Sequence, residues 1–187
     1  MLLLKQKGLK SRALKFYMSK AETIKPQPVW ALFVRVTHWL VAAFVIVNFF
    51  NDTGYWHRFI GYTCLVLVLS RIIYGLFLTK TTSSQFYFPT IANIKQHINE
   101  IKTQHFSPHV GHNPLGQWAV YAMWILIILL ALTGWLSRTD AYWGEDWPVD
   151  LHAFFSNALQ VLVILHVAAV VLMSALQKKN LIKPMIK

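Results

Sequence analysis

Apolar residues along the chain fall into four long blocks with short polar breaks: Trp30 to Phe50, His57 to Thr79, Leu115 to Leu136 and His152 to Leu176. Each block has about the twenty residues that carry a helix across ~30 Å of hydrocarbon at ~1.5 Å per residue. None has a polar face, so none suits a helix lying half in water. The pattern predicts an all-α fold, an integral membrane four-helix bundle. Between blocks two and three, Ile91, Ile94, Ile98 and Ile101 recur every three or four residues, with Lys95, Asn99 and Lys102 on other faces. That spacing predicts an amphipathic helix lying on the membrane, or failing that a helix that docks a partner. Residues 1–28 are expected to form a basic surface arm; their three-leucine run is too short for a signal peptide, so no cleavable targeting signal is expected. The expected organisation is this arm, a bundle over 29–176 with an inner loop over 80–114, and a basic tail over 177–187.

Composition removes the soluble alternative. Of 187 residues, 56% are hydrophobic and 13% charged, against about 25% charged in ordinary soluble domains. The net charge of +11 comes from Lys and Arg flanking the apolar blocks, where an anionic lipid surface accounts for them and nucleic acid is not expected as a partner. The charge has a side. Lys5, Lys7, Lys10, Arg12, Lys15, Lys20 and Lys25, then Lys80, Lys95 and Lys102, then Lys178, Lys179, Lys183 and Lys187 all precede or follow spans at one end of the bundle. Asp52, Asp140, Glu145, Asp146 and Asp150 fall at the other end, with Arg138 the one clear basic loop residue there. The positive-inside rule then puts both termini in the cytoplasm. Tyr55, Trp56, Trp135, Tyr142, Trp143 and Trp147 gather at the outer ends, as interfacial aromatics do. Cys64 is the single cysteine, so neither a disulfide, a zinc motif nor the CxxCH of a covalent haem can be built.

Ionisable groups inside hydrocarbon are costly and therefore point to function. His38 lies in VRVTHW, His57 opens the second span, and His152 and His166 bracket LHAFFSNALQVLVILH. The fourteen residues between the last two are about four turns, which puts both imidazoles on one helix face ~21 Å apart. One ligand cannot reach both. Span direction sorts the four into an outer pair, His57 with His152, and an inner pair, His38 with His166. Two imidazoles on opposite sides of an iron, with the macrocycle buried between helices, are what a b-type haem requires. Two such pairs predict two haems b per chain, stacked across the bilayer. The plainer alternative for any one of these histidines is an interhelical hydrogen bond. A proton relay or di-metal site would bring carboxylates into the spans, and the predicted spans hold none.

Arginines supply candidates for pairing with haem propionates. Arg71 follows His57 by fourteen residues and so shares its face at the inner level; Arg35 precedes His38 by one turn; Arg58 adjoins His57. Plain interfacial anchoring is the alternative for each. Gly61 and Gly75 each come four residues after His57 and Arg71, where a ring or a helix can approach closely. His97, His105, His109 and His112 are read as solvated loop residues, with zinc or quinone-headgroup binding a minor option. In GHNPLGQW, Asn113-Pro114 suits the start of a helix, and a role for His112 or Asn113 at the inner haem edge or a quinone pocket is the sharper reading.

From Val29 to Leu176 the sequence resembles the bacterial cytochrome b561 group, together with the b-type cytochrome subunit of nickel-iron hydrogenases. The likeness rests on the Arg and His-Trp of VRVTHW, on WHRFIGY followed by SRIIYG, on GHNPLGQW and on LHAFFSNALQVLVILH. The resemblance implies a four-helix bundle with two haems b ligated from helices one, two and four, hence His38, His57, His152 and His166. It also implies quinone exchange near a membrane surface and a place in the bacterial inner membrane.

The expected function is a di-haem b cytochrome carrying electrons between the quinone pool and a second redox partner, a periplasmic cytochrome or a dehydrogenase or hydrogenase subunit. Two rivals stand beside it. One is a stand-alone superoxide:quinone oxidoreductase of the same group, with Arg58 and Arg138 attracting the anion. The other is a haem-free membrane subunit or transporter that uses the histidines as interhelical hydrogen bonds.

Overall fold

The computed structural model describes residues 30–79, 86–103 and 113–186. Among them there is no strand. Helix α1 is Leu32–Phe49. Helix α2 is Gly54–Leu78, α-helical to Ile73 and finishing in a π-helical turn, Tyr74–Leu78. Helix α3 is Ile91–Thr103, α4 is Pro114–Leu136, α5 is Trp147–Leu176 and α6 is the short Lys183–Ile186. Helices α1, α2, α4 and α5 are each long and apolar enough to cross a membrane.

Local chemistry sets the helix starts. Asn113 accepts a hydrogen bond from the Gly116 backbone N–H at 2.6 Å, and Pro114 occupies the first turn, where its missing N–H costs nothing. This is the helix-start reading of GHNPLGQW; His105, His109 and His112 lie outside the described residues. Helix α2 begins three residues before the predicted span, because Gly54 can take a φ of +97°. Helix α5 begins five residues early, with Pro148 in its first turn and Asp150 facing the positive end of the helix dipole. His57 and His152 consequently sit inside their helices, about one turn or more from the ends, rather than at the boundaries.

Helix α4 packs on α5 and on α2, α1 packs on α2, and α3 rests on α4. Among the described residues, neither α1 nor α2 packs its backbone closely against α5. All four spans nevertheless meet in one buried layer of Val45, Cys64, Val68, Ile127 and Leu159. Its position follows from spacing. Val45 comes seven residues after His38, Cys64 seven after His57, and Leu159 seven from both His152 and His166. Seven residues are about two turns, so each lies on its histidine's face ~10 Å further along the axis. The apolar layer therefore separates two levels of histidines. Outward-facing Val66, Ile125, Val161, Ile164 and Leu165 are each more than half exposed, as suits a lipid-facing exterior.

Past α5, Lys178 takes the left-handed conformation at φ 51° and the chain reverses, with Lys179 N–H bonded to the Ser174 carbonyl. The Ser174 hydroxyl then accepts from Leu181 N–H, and α6 docks on the start of α1. Arg35 Nη1 donates to the Ile186 carbonyl at 3.1 Å and Trp39 Nε1 to the Met185 carbonyl at 3.0 Å.

Helix α3 corrects one expectation. His97 is 1% exposed and Glu100 6% exposed, with His97 Nδ1 3.4 Å from a Glu100 carboxylate oxygen. His97 is thus a buried residue and not a solvated one. The isoleucine stripe is split: Ile91 is 73% exposed and Ile98 is exposed too, while Ile94 and Ile101, three before and four after His97, are partly buried on its side. The helix turns its polar pair inward and leaves part of its apolar stripe outward, as an amphipathic helix resting on lipid would.

Candidate functional site

The spans bring together groups far apart in sequence at two levels. At the end carrying the acidic loops, the rings of His57 on α2 and His152 on α5 face one another, with centroids 5.9 Å apart and planes inclined by 65°. His57 Nδ1 lies 2.5 Å from the Asn51 carbonyl oxygen, and His152 Nδ1 lies 3.0 Å from the Leu130 carbonyl oxygen. A carbonyl only accepts, so in both rings Nδ1 carries the proton. Nε2 of each ring is then a free lone pair, the form in which imidazole binds a metal. Asn48 ties the region together by donating from Nδ2 to the His57 backbone carbonyl at 3.0 Å.

At the basic end, His38 on α1 and His166 on α5 lie within electrostatic reach of each other. His38 packs edge-on against Trp39, with centroids 5.2 Å apart, and its Nδ1 is buried without a hydrogen-bond partner. A buried polar nitrogen left in this way marks a site that something else completes. Arg35, one turn earlier, spends Nη1 on the Ile186 carbonyl while its Nε is buried with no acceptor.

Arg71 occupies an aromatic enclosure at the same end. Its guanidinium carbon is 5.9 Å from the Tyr74 ring, 5.7 Å from Phe86 and 5.8 Å from Trp124, all within cation–π range. The segment before α3 is strapped over it, with Tyr121 donating to the Tyr87 carbonyl at 2.9 Å and Trp118 Nε1 to the Pro89 carbonyl at 3.2 Å. Gly75 permits this packing, since a Cβ there would meet Arg71 Nη1 at 2.7 Å and the Phe86 ring at 2.8 Å. Arg58 is half-buried one residue beyond His57, which turns it about 100° around the helix from that ring.

A family model for prokaryotic cytochrome b561 matches residues 29–187, all but the basic arm. The chain belongs to the prokaryotic cytochrome b561 family. No curated protein and no solved structure matches it. Membership makes it a membrane b-type cytochrome and brings haem b into consideration. The residues present fit that group. The histidine-bearing helices α1 and α2 stand off from α5 while α4 fills the other side. The acidic-end rings offer two Nε2 lone pairs, and the basic-end pair includes an uncompleted buried Nδ1.

Sequence reasoning missed the groups that hold these residues. Nothing in the sequence pattern singles out Tyr121, Trp124 or Phe86, and the strap appears once residues 86–90 fold back over α4. Thr133 and Gly134, on the span that carries no histidine, touch His152. A Thr-Gly pair inside an apolar block was the available signal.

Proposed function

We propose that this cytochrome b561 family member is a di-haem electron carrier of the bacterial inner membrane that moves electrons between the quinone pool and a redox partner, a periplasmic cytochrome or a dehydrogenase or hydrogenase subunit. In this reading His57 and His152 hold one haem b and His38 and His166 the other, with both termini cytoplasmic. The observation that carries it is the outer pair: two imidazoles from different helices, facing, each with Nδ1 committed to a carbonyl and Nε2 free.

When bound, each haem supplies a one-electron iron couple, and the protein sets its potential and access. The side chains divide that work. Asn51 and Leu130 carbonyls fix the tautomer and tilt of the outer imidazoles. The layer of Val45, Cys64, Val68, Ile127 and Leu159 excludes water and ions between the levels. Arg71, Arg35 and Arg58 carry positive charge toward propionates, with Arg71 held in place by its three rings. Quinone exchange is assigned to the membrane surface.

The test is haem per polypeptide on detergent-purified full-length protein by the pyridine haemochrome assay, with single alanine variants of the four histidines. Two haems b are expected, His57→Ala and His152→Ala removing one and His38→Ala and His166→Ala the other. Protein free of haem when made with ample haem supply overturns the assignment and favours the membrane-subunit or transporter reading.

A further inference from the structure

Helix α4 carries no histidine, yet it makes the closest polar contacts to His152. Thr133 is 4% exposed, and its hydroxyl donates to the Leu129 carbonyl at 2.8 Å, with the Leu130 carbonyl further off at 3.2 Å. With its proton spent in this way, Thr133 Oγ1 turns a lone pair toward His152 Nδ1, 3.1 Å away. The same Nδ1 reaches the Leu130 carbonyl at 3.0 Å. Helix carbonyls are ordinarily shielded by the side chain one turn on, and here that residue is Gly134. A Cβ at Gly134 would stand 3.2 Å from His152 Cε1 and 3.4 Å from Nδ1. The missing side chain is what lets the ring come down onto the helix backbone.

We infer that Thr133 and Gly134 form a seat that positions His152 and sets the potential of the outer site, which makes the ligand-free span a tuning element. The inference rests on the proposed ligation of a haem by His57 and His152. Two acceptors on one N–H pull electron density toward Nε2 and strengthen it as a donor, which favours the oxidised iron. Thr133→Val removes one acceptor at nearly constant volume, and Thr133→Ser keeps it. Neither residue is itself a ligand.

The experiment is a redox titration of full-length wild type, Thr133→Val, Thr133→Ser and Gly134→Ala, with low-temperature EPR of the oxidised protein and the haem count of each. Thr133→Val with both haems present is expected to raise the outer potential and shift that haem's g values while leaving the inner haem unmoved. Thr133→Ser is expected to restore the wild-type values. Gly134→Ala is expected to perturb the same haem by displacing the ring. An unchanged outer potential and EPR signal in Thr133→Val overturns the inference, and so does loss of the outer haem in both Thr133→Val and Thr133→Ser. A wild type without haem is a failure of the functional reading. In that case 15N NMR of histidine-labelled protein decides the seat: His152 protonated at Nδ1 in wild type and mixed in Thr133→Val supports it, and no difference overturns it.

Discussion

Arg35 donates to the carbonyl oxygen of Ile186 across 151 positions of sequence, at 3.1 Å. With the Trp39 bond to Met185, it pins the C-terminal segment to the start of α1, on either side of His38. Each bond contributes about 1 kcal/mol. Arg35→Gln combined with Trp39→Phe therefore favours release of the segment by about 2 kcal/mol, roughly 30-fold in the opening equilibrium. Limited trypsin digestion of inside-out vesicles measures it. Faster cleavage at Lys178 and Lys179 in the double variant is expected, since Pro184 protects the bond after Lys183. Equal rates would refute the clamp, and cleavage only in right-side-out vesicles would refute the proposed orientation.

Leu159 is 3% exposed at the midpoint between His152 and His166. Lipid offers no solvent drive for burying it, so its contribution is packing. Leu159→Ala opens a void in the layer that joins all four spans, at a cost of about 2–3 kcal/mol. Val161→Ala, on a residue 57% exposed, costs a small fraction of that. Thermal unfolding in detergent, followed by circular dichroism, is expected to show a clear drop for the first and almost none for the second. Similar losses in both would deny the layer its role.

Much of this was readable in advance, for identifiable reasons. A twenty-residue apolar run has one outcome in lipid, so the four spans lie within a few residues of their expected positions. The fourteen residues between His152 and His166 fix two levels on one helix, and the direction of each span assigns His57 and His38 to them. What escaped depends on tertiary contact. His97 sits among polar residues in sequence, and nothing local reveals that α3 turns it and Glu100 inward against the bundle. Arg71 was placed at the right level, but its enclosure needs Phe86 to return from a loop and Trp124 to arrive from another span.

Gly61 and Gly75 looked equivalent by spacing, and the structure separates them. A Cβ at Gly61 would have Asn48 Nδ2 3.7 Å away, an ordinary contact, whereas at Gly75 it would meet Arg71 and Phe86 at under 3 Å. Gly61→Ala is expected to be nearly neutral. Gly75→Ala must displace the Phe86 ring or the guanidinium, which costs about 1–3 kcal/mol. Thermal unfolding checks this, and the prediction fails if Gly75→Ala matches wild type.

Glu100 shares its carboxylate between His97, at 3.4 Å, and Gln96, whose Nε2 donates at 3.3 Å. Removing one partner of a buried polar group costs more than the bond itself contributed, because the remaining group stays desolvated. His97→Ala is therefore expected to loosen α3 by about 1–3 kcal/mol. Helix α3 touches the bundle through α4, so the effect should be local. Hydrogen–deuterium exchange reports it directly: faster exchange across Ile91–Thr103 in His97→Ala and no change in α5. Undiminished protection of α3 in His97→Ala would show that the pair does not hold the helix in place.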